Sequence, residues 1–247
     1  MNIYEKKSIG ERIKGNSYVG RGIAIGLSPD GTKAVCAYFI MGRSANSRNR
    51  VFIKEGRNLK ILPYDATKVE DPSLIIYYPV KIFGDSIIVT NGDQTDTVYD
   101  FLAHGKSFED ALMTRAFEPD YPNWTPRISG IIDLNGSGRG DGPLRFKLSI
   151  LKSADSEGTA CSRFFYNYES IPGEGRFIHT YMCDGSPIPT FTADPELVTV
   201  PDDIDEFTAD IWENLDADNR ISLYVRYTDI ASGEYEDRLI NKYGQEA

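Results

Sequence analysis

Arg43, Arg48 and Arg50 fall within eight residues, in the stretch Gly42-Arg43-Ser44-Ala45-Asn46-Ser47-Arg48-Asn49-Arg50, of a chain that otherwise carries 37 acidic against 27 basic residues. Guanidinium forks bind phosphate bidentately, and Ser44 and Asn49 place neutral hydrogen-bonding groups beside them. The cluster follows an apolar run, Ala34-Val35-Cys36-Ala37-Tyr38-Phe39-Ile40-Met41, that reads as a buried strand, so a rigid element would hold it. A phosphorylated small molecule is the ligand class this pattern fits. A solvated basic turn is the competing reading.

The formal net charge of −10 argues against a nucleic-acid partner, because binding a phosphate backbone requires a broad basic face. A small anion is not excluded, since a local pocket can be positive on a negative protein. The start of the chain, Met1-Asn2-Ile3-Tyr4-Glu5-Lys6-Lys7, is polar and lacks the apolar core of a signal peptide, and no window offers the ~18 apolar residues of a membrane span. We therefore expect a soluble, cytoplasmic protein with no membrane partner. Cys36, Cys161 and Cys183 are odd in number and far apart, which reads as free thiols. His104 at a helix end and His179 in a strand have no metal-ligand pattern around them, so no metal is expected. The loop Gly136-Ser137-Gly138-Arg139-Gly140-Asp141-Gly142 lacks the Gly-Lys-Ser/Thr ending of a phosphate-binding loop and reads as a hairpin connection.

The elements that must position these residues are mostly strands. Residues 18–27 form a glycine-dotted strand, and Ser28-Pro29-Asp30-Gly31 is a turn leading into the apolar strand that ends at Met41. Shorter strands are expected at 50–54, 59–62, 74–78, 80–83 and 86–90. The periodicity of 95–102 predicts a helix, and Ser107 is a serine N-cap for a second one on the same sheet face. Strands return at 127–134, 144–151, 161–168 and 177–183, with a glycine-rich turn over 135–142. Ile204, Phe207 and Ile211 lie on one face of a helix over 203–212 whose acidic first turn suits the helix dipole. A closing strand at 221–227 and a polar tail complete the pattern. With no linker and no internal repeat, residues 1–247 are expected to form a single α+β domain of layered sheets and helices.

Four motifs stand in order along this framework: Tyr18-Val19-Gly20-Arg21; Arg43-Ser44 with Asn49-Arg50; Gly84-Asp85 leading to Val89-Thr90-Asn91-Gly92-Asp93-Gln94-Thr95-Asp96-Thr97; and Asn123-Trp124-Thr125-Pro126-Arg127-Ile128. The ordered set resembles the archaeal-type inosine monophosphate (IMP) cyclohydrolase family over residues 17–132, with the N-terminal ~16 residues as an extension and the C-terminal half aligned only loosely. The resemblance implies a four-layer αββα sandwich of Ntn-hydrolase-like fold. It also implies closure of 5-formamidoimidazole-4-carboxamide ribonucleotide to IMP with loss of water, no cofactor, a purine ribonucleotide as partner, and room for a homo-oligomer. Arg48 belongs to an insertion between the Arg-Ser and Asn-Arg pairs.

Such a ring closure depends on holding two groups of one molecule face to face, which supplies up to roughly 7 to 11 kcal/mol in favourable systems. Arg21, Arg43 and Arg50 are assigned to substrate anchoring with Ser44 and Asn49, and Asn91, Gly92, Asp93, Thr95 and Asp96 to the substrate-binding turn. Arg127 and Lys81 are candidate donors to the tetrahedral oxyanion, and Tyr18, Tyr78 and a carboxyl such as Glu118 or Asp120 are candidates for proton transfer. Each has a plainer competitor: a strand-edge ion pair for Arg21, helix capping for Asp93, Thr95 or Asp96, core packing for Tyr78, and solvated residues for Lys81, Glu118 and Asp120. Two other functions compete. A non-catalytic purine-nucleotide-binding protein would need the arginines alone. An Ntn-type amidohydrolase would need a nucleophile at a processed N-terminus, for which Cys36 would have to be exposed by cleavage.

Overall fold

The computed structural model describes residues 4–68, 76–134 and 144–244. Its strands, in chain order, are β1 (Arg21–Leu27), β2 (Lys33–Met41), β3 (Val51–Glu55), β4 (Asn58–Leu62), β5 (Val80–Phe83), β6 (Ser86–Thr90), β7 (Arg127–Asp133), β8 (Arg145–Ser153), β9 (Cys161–Glu169), β10 (Glu174–His179), β11 (Glu196–Thr199), β12 (Arg220–Asp229) and β13 (Tyr235–Asn241). The helices are α1 (Ile9–Ile13), α2 (Ala45–Arg48), α3 (Gln94–Ala103), α4 (Phe108–Met113) and α5 (Ile204–Asn214). The protein is α+β, with two antiparallel sheets and few helices. One sheet has the strand order β11-β10-β1-β2-β12-β13 and the other β3-β4-β5-β6-β7-β8-β9.

Two-residue alternation divides the central strands between two cores. Ile23, Ile25 and Leu27 of β1 and Ala34, Cys36, Tyr38 and Ile40 of β2 share one cluster with Phe52, Ile61, Ile87, Val89, Ile128 and Leu148 of the other sheet. The intervening Ala24, Val35, Ala37 and Phe39 instead meet Ile9 and Ile13 of α1 and Ile204, Phe207 and Ile211 of α5. On the far side, Ile88, Ile131 and Leu151 pack against Val98 of α3 and Phe108, Ala111 and Leu112 of α4. Each such buried aliphatic or aromatic side chain contributes about 1.5 to 3 kcal/mol relative to exposure.

The helix ends follow their sequence signals. Ser107 caps α4 reciprocally with Asp110, and Asp203 caps α5 through the Asp205 and Glu206 amides. The N-terminal extension carries a helix: Ser8 and Glu11 form a capping box, and α1 buries Ile9 and Ile13 beneath the first sheet. Two differences from the sequence reading have local causes. The polar tail contains β13, an edge strand whose half-exposed pattern hides its periodicity. The strand expected over 177–183 runs instead from Glu174 to His179, while β11 pairs outside it. Part of the strand expected at 74–78 lies outside the described residues, and 76–78 is extended chain without strand pairing, although the Tyr77 carbonyl accepts from the Ile61 amide at 2.9 Å. The glycine-rich turn over 135–142 also lies outside the described residues. Among the described residues no helix is long and apolar enough to cross a membrane.

Candidate functional site

The start of β1 lies beside the end of β2, with Arg21 opposite Ile40, and beside the end of β10, with Gly22 opposite His179. The start of β7 meets the end of β6 in the facing sheet, with Ser129 opposite Thr90. This end of the sandwich gathers side chains from seven separate segments. Arg21 shares the inward parity of Ile23 and Ile25, and Arg50 that of Phe52, so both guanidiniums turn toward the space between the sheets. Arg50 is only 2% exposed. Its Nε donates to the Ser47 carbonyl at 2.8 Å, while the Arg21 Nε is buried without a hydrogen-bond partner.

Four phenols surround the pair. Tyr38 and Tyr77 are buried and share a hydrogen bond of 3.0 Å, and burial raises the pKa of each. Tyr18 and Tyr181 stack with centroids 5.7 Å apart. Glu118 completes the cluster from the loop between α4 and β7. Burial pushes its carboxyl above the ordinary glutamate value, against the opposing pull of Arg21 and Arg127. Burial and the like charge of Arg21 lower the pKa of Arg50. A carboxyl with a raised pKa keeps its proton above the ordinary glutamate range and can hand it over, and the cations beside it can bind an anion.

The loop carrying Glu118 is tightly fixed. The Glu118 amide donates to the Thr125 carbonyl at 2.9 Å, and the Thr125 amide donates to Asp120 Oδ1 at 2.6 Å. Trp124 holds φ at +45°, a region costly for a bulky residue. It is kept there by its indole N–H, which donates to the Ser156 carbonyl at 2.9 Å, and by edge contacts with Phe117 and Tyr121.

The segment 90–96 packs against Arg127 and the start of β7. Asn91 Oδ1 accepts from the Ile128 amide at 2.9 Å and from Gln94 Nε2 at 2.9 Å, and its Nδ2 donates to the Pro126 carbonyl at 2.8 Å. Thr90 and Thr95 hydroxyls bond each other at 2.6 Å over the Gly92 carbonyl. Asp93 occupies the N-cap position of α3 without a side-chain cap bond; it pairs instead with Arg127 at 2.7 Å and with Arg115. Gln94 Oε1 accepts from the same Arg127 nitrogen. At Gly92 a Cβ would strike the Arg127 guanidinium and Gln94, so only glycine lets the turn approach so closely.

Other sequence-derived residues sit at the edge of the cluster or apart from it. Ser44 is exposed and caps the four-residue α2, accepting from the Ser47 amide. Asn49 is buried with both ends of its amide engaged by the backbone of Asp65, at 2.7 and 2.8 Å. Arg43 stands at the surface above the Tyr18 ring at 5.0 Å, paired with Asp184 and the Gly185 carbonyl. Lys81 turns to the helix-facing side of its sheet, where Asp96 of α3 and the rings of Tyr78 and Tyr99 hold it. The Tyr78 hydroxyl donates to Glu55, outside the arginine cluster. Cys36 is buried in mid-strand, and burial pushes its thiol up to about 12, which unfits it for nucleophilic attack.

The sequence reading missed Tyr38, Tyr77, Gln94 and Thr125. Tyr38 carried a signal, since its hydroxyl lies on the otherwise apolar face of Ala34, Cys36 and Ile40 and must find a partner there. Two surface concavities lie elsewhere. One is lined by Phe146, Tyr168, Glu174 and Arg176, and the other by Asp202, Asp203, Asp205 and Glu236 with Arg238, which is paired to Asp205. The second is acidic and would repel a phosphate.

Comparison with known proteins gives a consistent picture. Residues 18–233 match the family model described as IMP cyclohydrolase-like protein, reaching well beyond the motifs of the first half. The chain is 30% identical over 182 residues to an IMP cyclohydrolase of Methanopyrus kandleri, covering 70% of this chain and 89% of that protein. It is 30% identical over 141 residues to an IMP cyclohydrolase of Methanococcus aeolicus, covering 55% of this chain and 69% of the relative.

Proposed function

The chain belongs to the IMP cyclohydrolase-like family, and on that premise we propose that it closes 5-formamidoimidazole-4-carboxamide ribonucleotide to IMP and water. The observation that carries this reading is the Glu118 carboxyl set among Arg21, Arg50 and Arg127. Ring closure joins the carboxamide nitrogen to the formyl carbon, and the carbonyl electrons move to oxygen. The carboxamide nitrogen gives up one proton as it attacks and keeps the other; the resulting hydroxyl then leaves as water while the formamide nitrogen loses its proton and forms C=N with the former formyl carbon. The site must stabilise an oxyanion, move protons and hold both reacting groups together.

Arg50 holds the 5′-phosphate, and Arg43 joins it by exchanging Asp184 for the ligand. Arg50 makes its hydrogen bond to the Ser47 carbonyl and the Arg43 pair with Asp184 is exposed, so both guanidiniums can turn to a dianion. Arg21 and Arg127, the cations nearest in influence to Glu118, face the oxyanion, where one well-placed donor is worth about 3 to 4 kcal/mol. Glu118 carries the proton to the departing hydroxyl. Asn91, Gly92, Asp93, Thr95 and Gln94 fix Arg127 from behind. The helix, sheet, sheet, helix order of packing supports assignment to a four-layer αββα sandwich of Ntn-hydrolase-like type, as one domain.

The test is the ultraviolet absorbance change on adding the formamido ribonucleotide to purified protein, with Arg50→Ala in parallel. Turnover by the wild type that is lost in the variant supports the reading. Binding of IMP without any turnover by the wild type would overturn it in favour of a nucleotide-binding role.

A further inference from the structure

Thr125 Oγ donates to Asp120 Oδ2 and is also hydrogen-bonded to the hydroxyl of Tyr181. A threonine hydroxyl has one proton, and a carboxylate only accepts. With that proton committed to Asp120, the bond to Tyr181 must be donated by the tyrosine. The Tyr181 oxygen is then left with lone pairs and no proton to offer. Tyr38 and Tyr77 differ: in a mutual hydrogen bond one phenol of the pair keeps a free proton.

Tyr181 is held in place from every side. It is 2% exposed and stacks on Tyr18, and a Cβ at Gly20, whose φ is +79°, would collide with its ring and with Thr180. Its carbonyl is hydrogen-bonded to His179 Nδ1 at 2.7 Å. Arg21, Tyr18 and Asp120 are its charged or titratable neighbours. The phenol oxygen is therefore a fixed acceptor beside a cluster otherwise rich in donors.

We propose that Tyr181 accepts an N–H of the substrate carboxamide and so orients the attacking nitrogen, and that Asp120 and Thr125 are positioning residues that keep Tyr181 an acceptor. The inference rests on the cyclohydrolase reading and deepens it. A primary amide has two protons; one given to Tyr181 fixes the plane of the group, and the other is released as the new bond forms. A carboxylate in the same place offers only lone pairs and meets an acceptor.

The probes are two non-cyclising ribonucleotides, 5-aminoimidazole-4-carboxamide and 5-aminoimidazole-4-carboxylate, titrated into the wild-type chain and into Tyr181→Phe, Thr125→Val and Thr125→Ser. Thr125→Val frees the Tyr181 proton, so the amide-to-carboxylate affinity ratio should fall at least about tenfold, the size of one hydrogen bond. Thr125→Ser should keep the wild-type ratio. With the formamido substrate, Tyr181→Phe should lower kcat about a hundredfold with KM within about threefold, as expected for lost orientation. The double variant Tyr181→Phe/Thr125→Val should be no slower than Tyr181→Phe alone, because the threonine acts through the tyrosine. An unchanged affinity ratio in Thr125→Val, or multiplying losses in the double variant, would overturn the proposal. Tyr181→Phe preserves ring packing and decides the matter through kcat should the valine variant not fold. Absence of cyclisation by the wild type would instead sink the function itself, so the two failures are distinguishable.

Discussion

The guanidiniums of Arg21 and Arg50 come from different sheets and turn toward the same interior, with opposite outcomes: burial and the like charge of Arg21 lower the pKa of Arg50, while Glu118 and the surrounding phenols outweigh burial and raise that of Arg21. Like charges that are desolvated together destabilise the empty protein and favour an anion that neutralises both. Replacing Arg50 by Met, which keeps the bulk and drops the charge, should raise the melting temperature of the empty protein. It should also abolish the stabilisation given by IMP, which in the wild type should reach about 2.7 kcal/mol at a hundred times Kd. Thermal melts with and without nucleotide check both. Equal nucleotide-induced shifts in the two proteins would remove Arg50 from the anion site.

Glu118 predicts a pH dependence with a definite sign. Burial raises its folded pKa above that of the unfolded chain, so between the two values the native state holds the extra proton. Its contribution to stability is therefore present below the ordinary glutamate pKa and is lost as pH rises through the folded value. Glu118→Gln should flatten that decline in a series of melts against pH. The same variant should lower kcat by 10²- to 10⁴-fold, the usual range for a proton-transfer group, and remove the limb of the rate profile that lies above the normal carboxylate range. A Gln variant with the wild-type profile would reassign the proton to another group.

Much of the framework was legible because it rests on local chemistry. The hairpin of β1 and β2, the Ser107 cap and the apolar face of α5 all follow from spacing and turn residues. Arg21, Arg50, Arg127, Tyr18 and Glu118 were legible as chemical types inside ordered motifs. Their grouping was not, because Tyr38, Tyr77 and Tyr181 reach the arginines only through sheet packing across long sequence separations. Asn49 and Asn91 show the reverse: residues suited to a ligand by type are consumed by the backbone they brace. Lys81 stands apart from the arginine cluster by parity, since the neighbour Val80 takes the inward position.

That parity makes Lys81 a useful control. Its charge is spent on Asp96, whose side chain is 49% exposed, and on two tyrosine rings outside the arginine cluster. Pairs of this kind contribute about 0 to 1 kcal/mol. Lys81→Met should leave kcat/KM within about twofold of wild type and shift stability by no more than about 1 kcal/mol in urea titrations. A loss of more than tenfold in kcat/KM would bring Lys81 back into the reaction.

Gly92 tests whether the turn before α3 serves catalysis through Arg127. An alanine there has no backbone conflict, since its φ is not in the left-handed region, and the whole cost is the collision of its methyl with the Arg127 guanidinium and Gln94. Overpacking of this kind costs about 1 to 3 kcal/mol unless the neighbour yields. Arg127, pinned by Asp93 at 2.7 Å, can yield only by leaving its place beside Glu118. Gly92→Ala should therefore lower kcat by about a hundredfold, the cost of losing one oriented donor, even in preparations that remain folded by circular dichroism. Arg127→Ala should be as slow, and adding Gly92→Ala to it should cost no further kcat, because the methyl then meets only the Gln94 amide and has no guanidinium to displace. An additional loss in the double variant would show that Gly92 acts on the site by another route.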